Sequence, residues 1–237
     1  MPEFAYDLHI HSCLSPCADD DMTPANICGM ASIKGLDAIA VTDHNCARNL
    51  PYVKEAADAF HIILLPGMEI TTREEVHVLG YFPTVEVAME AGEFFASHLP
   101  PMKNRPAFFG RQLVVDTDDQ VVDEEQRLLI GATDLSLTQC VAEIRGRGGV
   151  AVPAHINRGS NGLLINLGMM PPEPDFHVVE VWPDQPALPE AVKDRRVLHA
   201  SDAHQLGNIR EAVFDIPTER FLLADCGHGC MIFTDNR

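Results

Sequence analysis

The sequence predicts an α/β fold in which short strands alternate with helices around one core. Short apolar runs recur along the chain, and most are followed by a segment with helical spacing. The 237 residues are close to the size of one α/β barrel. Imidazole and carboxylate side chains lie on or just after the apolar runs, where the ends of barrel strands would bring them together.

The N-terminal part of the chain shows the strand-to-helix order clearly. The first strand leads into His9-Ile10-His11, where the alternation of a strand points both imidazoles to one side. Thr23-Pro24 is typical of a helix start. The second apolar run ends at Thr42-Asp43-His44-Asn45. Strands are predicted over 4–8, 36–41, 62–65 and 76–82, and helices over 25–32 and 52–60.

Residues 83–135 interrupt this rhythm. Two apolar runs flank the turn sequence Thr117-Asp118-Asp119, which predicts a β-hairpin. We therefore expect one domain over 1–237, with 83–135 as an insertion or cap within it.

The regular pattern resumes after the insertion. A helix is predicted over 136–147, closed by Gly148-Gly149, and it precedes a strand that places His155 at its end. Two later strands follow, the second leading into Ser201-Asp202-Ala203-His204. About seven strands result, most of them separated by helices, and this alternation is expected of a parallel barrel. The count does not support a strict eightfold barrel. The predicted strands are 150–154, 178–182 and 197–200, with edge strands at 211–217 and 230–233.

The charge balance was expected to restrict the partners. Thirty-five acidic and 17 basic residues give a net charge of −18, which predicts no surface for duplex nucleic acid, since such surfaces need Lys and Arg. Divalent ions at the strand ends would still attract a small phosphorylated substrate, including a nucleotide or a short single-stranded oligonucleotide. Seven cysteines without a regular framework, an N-terminus without a leader and no long apolar stretch predict a cytoplasmic protein without a membrane span.

Five short motifs carry a family resemblance: HIHS at 9–12, TDHN at 42–45, GMEIT at 67–71, PAH at 153–155 and SDAH at 201–204. In this order they resemble the PHP (polymerase and histidinol phosphatase) superfamily of metal-dependent phosphoesterases. The resemblance covers 5–82 and 136–210. It implies a distorted (β/α)7 TIM-like barrel that carries three divalent metal ions.

The resemblance also implies a ligand set. Its mixture of imidazoles and carboxylates suits Mn, Fe or Zn. Asp19 follows His11 at an unusual spacing, so Asp20 and Asp21 remain alternatives for this ligand. The implied ligands are His9, His11, Glu69 and Asp202 for the first ion, Glu69, His77 and His155 for the second, and Asp19, His44 and His204 for the third.

Basic and aromatic residues near the motifs are candidate substrate contacts. Arg158, three residues after His155, has a planar guanidinium that could bind a phosphate, and Arg48 and Arg210 follow TDHN and SDAH. Trp182 could stack on a nucleobase, although packing is the alternative. Cys226, His228 and Cys230 resemble a small metal site without a standard zinc spacing.

Together these features predict a phosphoric ester hydrolase, a phosphatase or an exonuclease-like enzyme. A metal-bound hydroxide, held by His9, His11, Glu69 and Asp202, would attack a small phosphomonoester, a nucleotide or a short oligonucleotide end. Two alternatives stay open. An amidohydrolase would usually carry a bridging lysine where this chain has Glu69. A non-catalytic metal-stabilised module would keep the fold without turnover.

Overall fold

The computed structural model has a mixed α/β fold. It describes residues 5–183, 185–186 and 189–211, and the backbone of 222–225 and 231–234. The strands are β1 Tyr6–Ile10, β2 Ala38–Val41, β3 Ile63–Leu64, β4 Gly67–Thr71, β5 His77–Tyr81, β6 Leu113–Val115, β7 Val121–Glu124, β8 Val150–Pro153, β9 Val178–Glu180, β10 Arg196–Leu198, β11 Leu222–Asp225 and β12 Met231–Thr234. The helices are α1 Pro24–Ile33, α2 Leu50–Ala59, α3 Val85–Ser97, α4 Pro106–Phe109, α5 Leu137–Gly146, α6 Leu163–Leu167 and α7 Pro189–Val192.

Local sequence signals place several of these helices where they were predicted. Thr23 caps α1 by accepting a hydrogen bond from the backbone N–H of Asn26, and Pro24 takes the first helical position. Ser136 and Gln139 form a reciprocal capping box at the start of α5. Such caps bind the N–H groups that the first turn of a helix leaves without partners.

The strand directions differ from the predicted all-parallel order. β1, β2 and β3 pair in parallel, as do β9 and β10. β5, however, runs antiparallel to both β4 and β8. His77 consequently lies at the beginning of its strand, and Glu69 lies within β4. The expected convergence at the ends of parallel strands is therefore wrong for His77, because the direction of β5 is reversed. Glu69 reaches the site from within its strand, where it forms a parallel bridge with His44.

The hydrogen bonds of the described strands group them into separate ladders and not into one continuous barrel sheet. The order β1-β2-β3 forms one ladder, β4-β5-β8 a second and β9-β10 a third. Two isolated parallel bridges connect neighbouring ladders, Ile10 with Ala203 and His44 with Glu69. Both bridges lie beside residues of the predicted metal site.

The predicted insertion contains both an expected and an unexpected element. The hairpin is confirmed, because β6 and β7 pair antiparallel with a register shift after Val114. The helix α3 was not predicted. Its buried face, including Ala88, Ala91 and Phe95, belongs to the main hydrophobic core together with residues of α1, α2 and α5. Helix α3 therefore packs as part of the central structure.

Two C-terminal predictions concern residues that, apart from residue 211, lie outside the described part of the chain. These are the edge strand over 211–217 and the Cys226, His228 and Cys230 cluster. The predicted strand near 230–233 corresponds to β12, which pairs antiparallel with β11.

Candidate metal centre

The predicted ligands other than Asp19 converge on one buried region. They come from the loops and strands that the ladders bring side by side. His9 lies in β1 with His11 just after it, His44 follows β2, Glu69 lies in β4, His77 begins β5, His155 follows β8, and Asp202 and His204 follow β10.

The Glu69 carboxylate lies at the centre of this region and is 1% exposed. Its Oε1 lies 2.7 Å from His77 Nδ1 and accepts a hydrogen bond from His155 Nε2 at 3.1 Å. Its Oε2 lies 3.2 Å from His44 Nδ1. Since both oxygens face several imidazoles, this carboxylate is placed to bridge two cations. The Nε2 atoms of His9 and His11 lie 3.4 and 3.3 Å from it.

Asp202 completes the first of three ligand groups. Its Oδ1 lies 3.3 Å from His9 Nε2 and 3.2 Å from His11 Nε2, while these two nitrogens are 3.3 Å apart. Together with Glu69, these residues offer four ligand atoms within 4.8 Å of one another. This group matches the predicted first site.

The other two groups overlap with the first and differ in part from the implied sets. One contains His44, Glu69 and His77, with His155 beside it through Glu69, and the other contains His11, His44 and His204. Residues shared between groups are typical of adjacent ions bridged by common ligands.

The predicted loop ligand is not brought into any of the three groups. Asp19 is exposed, although its backbone N–H donates to the carbonyl of His204 at 2.9 Å. Asp20 and Asp21 are also exposed, and Asp20 lies 3.9 Å from Arg111. The structure thus places this loop beside the centre with its carboxylates turned outward.

Glu180 is a buried partner of the centre that the sequence analysis missed. Its carboxylate accepts from His9 Nδ1 at 3.0 Å and from the backbone N–H of His155 at 2.7 Å. Because His9 Nδ1 donates to it, His9 Nε2 is left to face Glu69 and Asp202. Glu180 lies within an apolar run, and no motif pointed to it.

Asp43 supports the centre in a similar way on the other side. This buried carboxylate accepts hydrogen bonds from the hydroxyls of Ser12 and Ser15, and Ser15 Oγ lies 2.9 Å from His11 Nδ1. The chain of contacts fixes the ring of His11 so that its Nε2 points inward. Asp43 belongs to TDHN, so the signal was present in a motif that was assigned only its histidine.

A third buried carboxylate holds the SDAH loop. Asp7 accepts from the backbone N–H and the hydroxyl of Ser201 at 3.0 and 2.5 Å, and from the backbone N–H of Arg210 at 2.9 Å. These bonds anchor the loop that carries Asp202 to strand β1.

The backbone of two site residues is strained. His155 and Asp202 have φ angles of 28° and 50°, in the left-handed region that side chains with a Cβ rarely adopt. Such conformations persist where the surroundings over-determine them, and they cluster at functional sites. The Glu180 bond to the His155 N–H is one such restraint.

The electrostatics of the centre separate the imidazoles into two kinds. Burial lowers the pKa of His9, but three neighbouring carboxylates, Glu180 first among them, outweigh it and raise the pKa well above its ordinary value. Burial also lowers the pKa of His11, and contacts with two carboxylates raise it in total to about 9. Burial and the nearby His11 hold the pKa of His44 well below its ordinary value. Burial raises the pKa of Glu69, but the surrounding imidazoles outweigh this and hold it well below its usual range.

The donor set fits metal binding. His44 Nδ1, His77 Nδ1 and His155 Nδ1 are buried without a hydrogen-bond partner, and the first two point at Glu69. Burying such atoms unpaired is costly, so a cation that accepts the lone pairs of His44 Nδ1 and His77 Nδ1 would remove the cost at these two residues. The neighbouring imidazole pairs of His9, His11, His44, His77, His155 and His204 have ring centroids 4.3 to 5.8 Å apart.

A cavity of about 590 Å³ opens beside the centre. It is lined by Asp202, His204, Arg158, Trp182 and Arg210, among other residues. The guanidinium of Arg158 pairs with the Asp202 carboxylate, and its central carbon lies 4.8 Å from the Trp182 ring centroid. The cavity has the volume of a small-molecule site. Two of the predicted substrate contacts, Arg158 and Arg210, line it.

Of the other predicted contacts, Arg210 donates to the carbonyl of His199 at 2.6 Å from its place in the cavity wall. Arg48 is directed elsewhere. It pairs with Asp123 and Glu125 at the hairpin.

Sequence comparison decides the family. A model of the PHP domain matches residues 7–138, which is more than half of the chain. The chain belongs to the PHP domain family. The resemblance drawn from the five motifs is thereby confirmed. PHP domains are a metal-dependent family, and this member holds the imidazole and carboxylate clusters that could bind metal. A comparison with curated proteins found no match.

Solved structures share the fold. Endonuclease Q from Pyrococcus furiosus, a lesion-specific endonuclease, matches with a TM-score of 0.65 and 17% identity over 88% of this chain and 50% of that chain. A protein from Bifidobacterium adolescentis named as a metal-dependent phosphoesterase has a TM-score of 0.59 and 22% identity, covering 87% and 90%. An amidohydrolase from Chromobacterium violaceum has a TM-score of 0.54 and 19% identity, covering 91% and 95%. The chain thus spans about half the length of endonuclease Q.

One prediction from the charge balance is wrong. The net charge was expected to exclude a surface for duplex nucleic acid. A structure of endonuclease Q in complex with a 27-mer duplex bearing an abasic lesion matches this chain with a TM-score of 0.63 and 17% identity, over 86% of this chain and 49% of that one. Proteins with this fold therefore include a duplex binder. The error is physical, because a total charge does not describe the local field at one site.

The membrane prediction was tested on the helices. Within the ranges that the structure describes, none is both long and apolar enough to cross a bilayer.

Proposed function

We propose that the protein is a metal-dependent phosphoesterase that hydrolyses a small phosphomonoester, a nucleotide or a short oligonucleotide end. One observation carries this proposal. Three ligand groups overlap, since His11, His44 and Glu69 each belong to two of them. The groups lie at one end of a cavity that two arginines line. Shared ligands favour a polynuclear centre, and adjacent cations suit a phosphoryl group with several oxygens.

Some residues of the centre would hold the ions, and a neighbouring carboxylate would orient a ligand. When bound, divalent ions supply a nucleophilic water at neutral pH and polarise the phosphoryl oxygens. His9, His11, Glu69 and Asp202 would hold the first ion, with Glu180 fixing the ring of His9. His44, His77 and His204, with His155 beside them through Glu69, would hold the others, for a total of three ions of Mn, Fe or Zn.

Arg158 is the proposed contact for the substrate phosphate. Its guanidinium pairs with Asp202 and packs over Trp182, so it already lies between the centre and the cavity. A planar guanidinium can bind two phosphoryl oxygens at once. Arg210 lines the same cavity and is the proposed second cation, whereas the ion pairs of Arg48 with the hairpin give it no such position.

We also propose that residues 1–237 form one domain whose ladders are segments of a distorted TIM-like barrel. The two isolated bridges between ladders support this, as both lie at the metal centre. Within 83–135, the main-core contacts of α3 favour placing the inserted part after that helix.

The amidohydrolase alternative has a structural basis, because a protein named as one shares the fold. Glu69, a carboxylate, occupies the bridging position where that class usually carries lysine. The observation therefore favours phosphoester chemistry. A non-catalytic module is opposed by the ligand set, which retains two of the three implied carboxylates, Glu69 and Asp202, and all six imidazoles.

A panel of phosphatase, nuclease and amidase substrates tests the proposal. Assays with Mn compare the parent protein with His9→Ala and Asp202→Ala, and the exposed His61→Ala serves as the control. We expect aryl phosphate hydrolysis to fall by at least about 100-fold in the two site variants, more than loss of a supporting residue usually costs. Equal rates in all four proteins would contradict the proposal. Turnover of amides alone would establish the amidohydrolase, and metal binding without any turnover the non-catalytic module.

A further inference from the structure

We propose that a surface patch beside the metal centre binds single-stranded nucleic acid, so that the substrate is the end of a strand. The patch consists of Met102, Lys103, Arg105, Phe108 and Phe109, and we call it the Phe108 patch. This inference rests on the proposed phosphoesterase function and specifies its substrate class.

The segment that carries the Phe108 patch differs in charge from the rest of the sequence. Residues 94–115 contain no Asp or Glu, although the chain has 35 acidic residues, and they include Lys103, Arg105 and Arg111. Arg111 pairs with Glu124 at 3.2 Å. Within the described part of the chain, Lys103 and Arg105 form no ion pair. Two uncompensated cations in a strongly acidic protein favour a polyanionic partner at this place.

The patch also exposes flat apolar surface. Phe108 is 73% exposed and Met102 is 53% exposed. The Arg105 guanidinium lies 5.3 Å from the Phe108 ring centroid and 5.6 Å from that of Phe109. The two rings meet edge to face, 4.7 Å apart and at 81°. An aromatic ring with an arginine is the arrangement on which unpaired bases stack.

Contacts place the patch next to the loop that carries His11. Gly110 has a φ of 100°, and a Cβ built there would lie 1.9 Å from the carbonyl oxygen of Pro16, so the two backbones touch. The Leu113 N–H donates to the Cys13 carbonyl at 2.8 Å. A strand lying on the patch would therefore pass along the ligand loop.

A single strand fits these features better than a duplex, a protein or a membrane. Its bases are free to stack on Phe108, whereas the bases inside an intact duplex are already stacked on each other. Its phosphates would meet Lys103 and Arg105. The occupant we commit to is therefore a single-stranded oligonucleotide.

Fluorescence anisotropy on the full chain tests the patch. The probe is an end-labelled phosphorothioate oligothymidylate of about 12 nucleotides, which resists hydrolysis and lies within the usual site size. We expect Phe108→Ala to weaken binding by about tenfold, the cost of one lost base stack. We expect Arg105→Gln to reduce the slope of log affinity against log salt by about 0.7. Phe60→Ala, which removes a partly exposed ring elsewhere, and Arg73→Gln should both match the parent.

The outcomes separate the patch from the phosphoesterase proposal. Equal affinity of Phe108→Ala and the parent, no binding by the parent, or binding only to vesicles of phosphatidylcholine and phosphatidylserine would each overturn the patch. Hydrolysis of aryl phosphate is measured in parallel. Its absence would overturn the phosphoesterase, while the binding data would still decide the patch. Unchanged melting temperatures of the variants show that the fold is retained.

Discussion

The side chains around the predicted ligands decide how those ligands are presented. Glu180, Asp43 and Ser15 hold the Nδ1 atoms of His9 and His11, and this directs both Nε2 atoms to the same point. A ring that is already oriented loses less freedom when it binds an ion. We therefore expect the supporting carboxylates to contribute to metal affinity without contacting an ion.

Replacement of Glu180 by Gln tests this role. The amide keeps the size of the side chain but can no longer accept at both oxygens from His9 and the His155 N–H. We expect a loss of metal affinity of about 10- to 100-fold, measured by calorimetric titration of the metal-free protein. Glu190→Gln, at an exposed position, is the matched control. Identical affinities in the two variants would show that Glu180 does not position His9.

The raised pKa values predict that metal binding releases protons. In the metal-free protein His11, with a pKa of about 9, is protonated at pH 7, and an ion requires it to be neutral. Metal binding should therefore release protons at pH 7, and affinity should rise with pH until His11 titrates near pH 9. Calorimetry in buffers of different ionisation enthalpy measures the number of protons released per bound ion. Proton release that does not change between pH 7 and pH 10 would disprove the prediction.

Most site residues could be predicted because short motifs carry them. His9, His11, His44 and Asp202 lie in segments whose letters alone are distinctive. Glu180 could not be found this way, because a single carboxylate in an apolar run gives no sign of its partners 25 and 171 residues away.

Elements were predicted more reliably than their directions and packing. The apolar run of β5 is equally compatible with a parallel and an antiparallel strand, so the sequence did not show that His77 begins the strand at the site. Only tertiary pairing with β4 and β8 fixes the direction. Helix α3 was missed because proline and hairpin signals further along the segment dominated its interpretation.

The close approach of Gly110 to Pro16 predicts how the insertion packs against the loop that follows β1. Gly110→Ala combines a φ of 100° with a clash against backbone, so we expect a loss of roughly 2 kcal/mol or more of unfolding free energy. Gly146→Ala, where a Cβ meets nothing within 4 Å at the end of α5, should be neutral or stabilising by up to about 1 kcal/mol. Urea unfolding measures both. A neutral Gly110→Ala would mean that the insertion does not rest on the ligand loop.

The place of α3 in the main core can be tested in the same way. Phe95 is fully buried, so Phe95→Ala should lower the unfolding free energy by about 3–5 kcal/mol. Phe108→Ala, with its ring 73% exposed, should change it by less than about 0.5 kcal/mol. Similar effects of the two substitutions on urea midpoints would show that α3 is not a core element.

At the scale of the whole molecule, net charge was a poor guide to partners. The −18 total coexists with an acid-free stretch over 94–115 and with a cavity that Arg158 and Arg210 line. Fields that attract an anion are local, and they are set by which side chains the fold brings together. The chain-wide order of strands and helices was predictable from composition and periodicity, whereas this arrangement of charge was not.

The proposed function depends on a shared metal centre bridged by Glu69. Titration of the metal-free protein with Mn²⁺, followed by calorimetry and by metal analysis after dialysis, tests it most directly for the parent and for Glu69→Gln. We predict that the parent binds more than one ion per chain and that Glu69→Gln, which lacks the bridging carboxylate, binds fewer ions and binds them more weakly. A parent that retains no ion, or a Glu69→Gln variant with the same number of ions at the same affinity, would contradict the account.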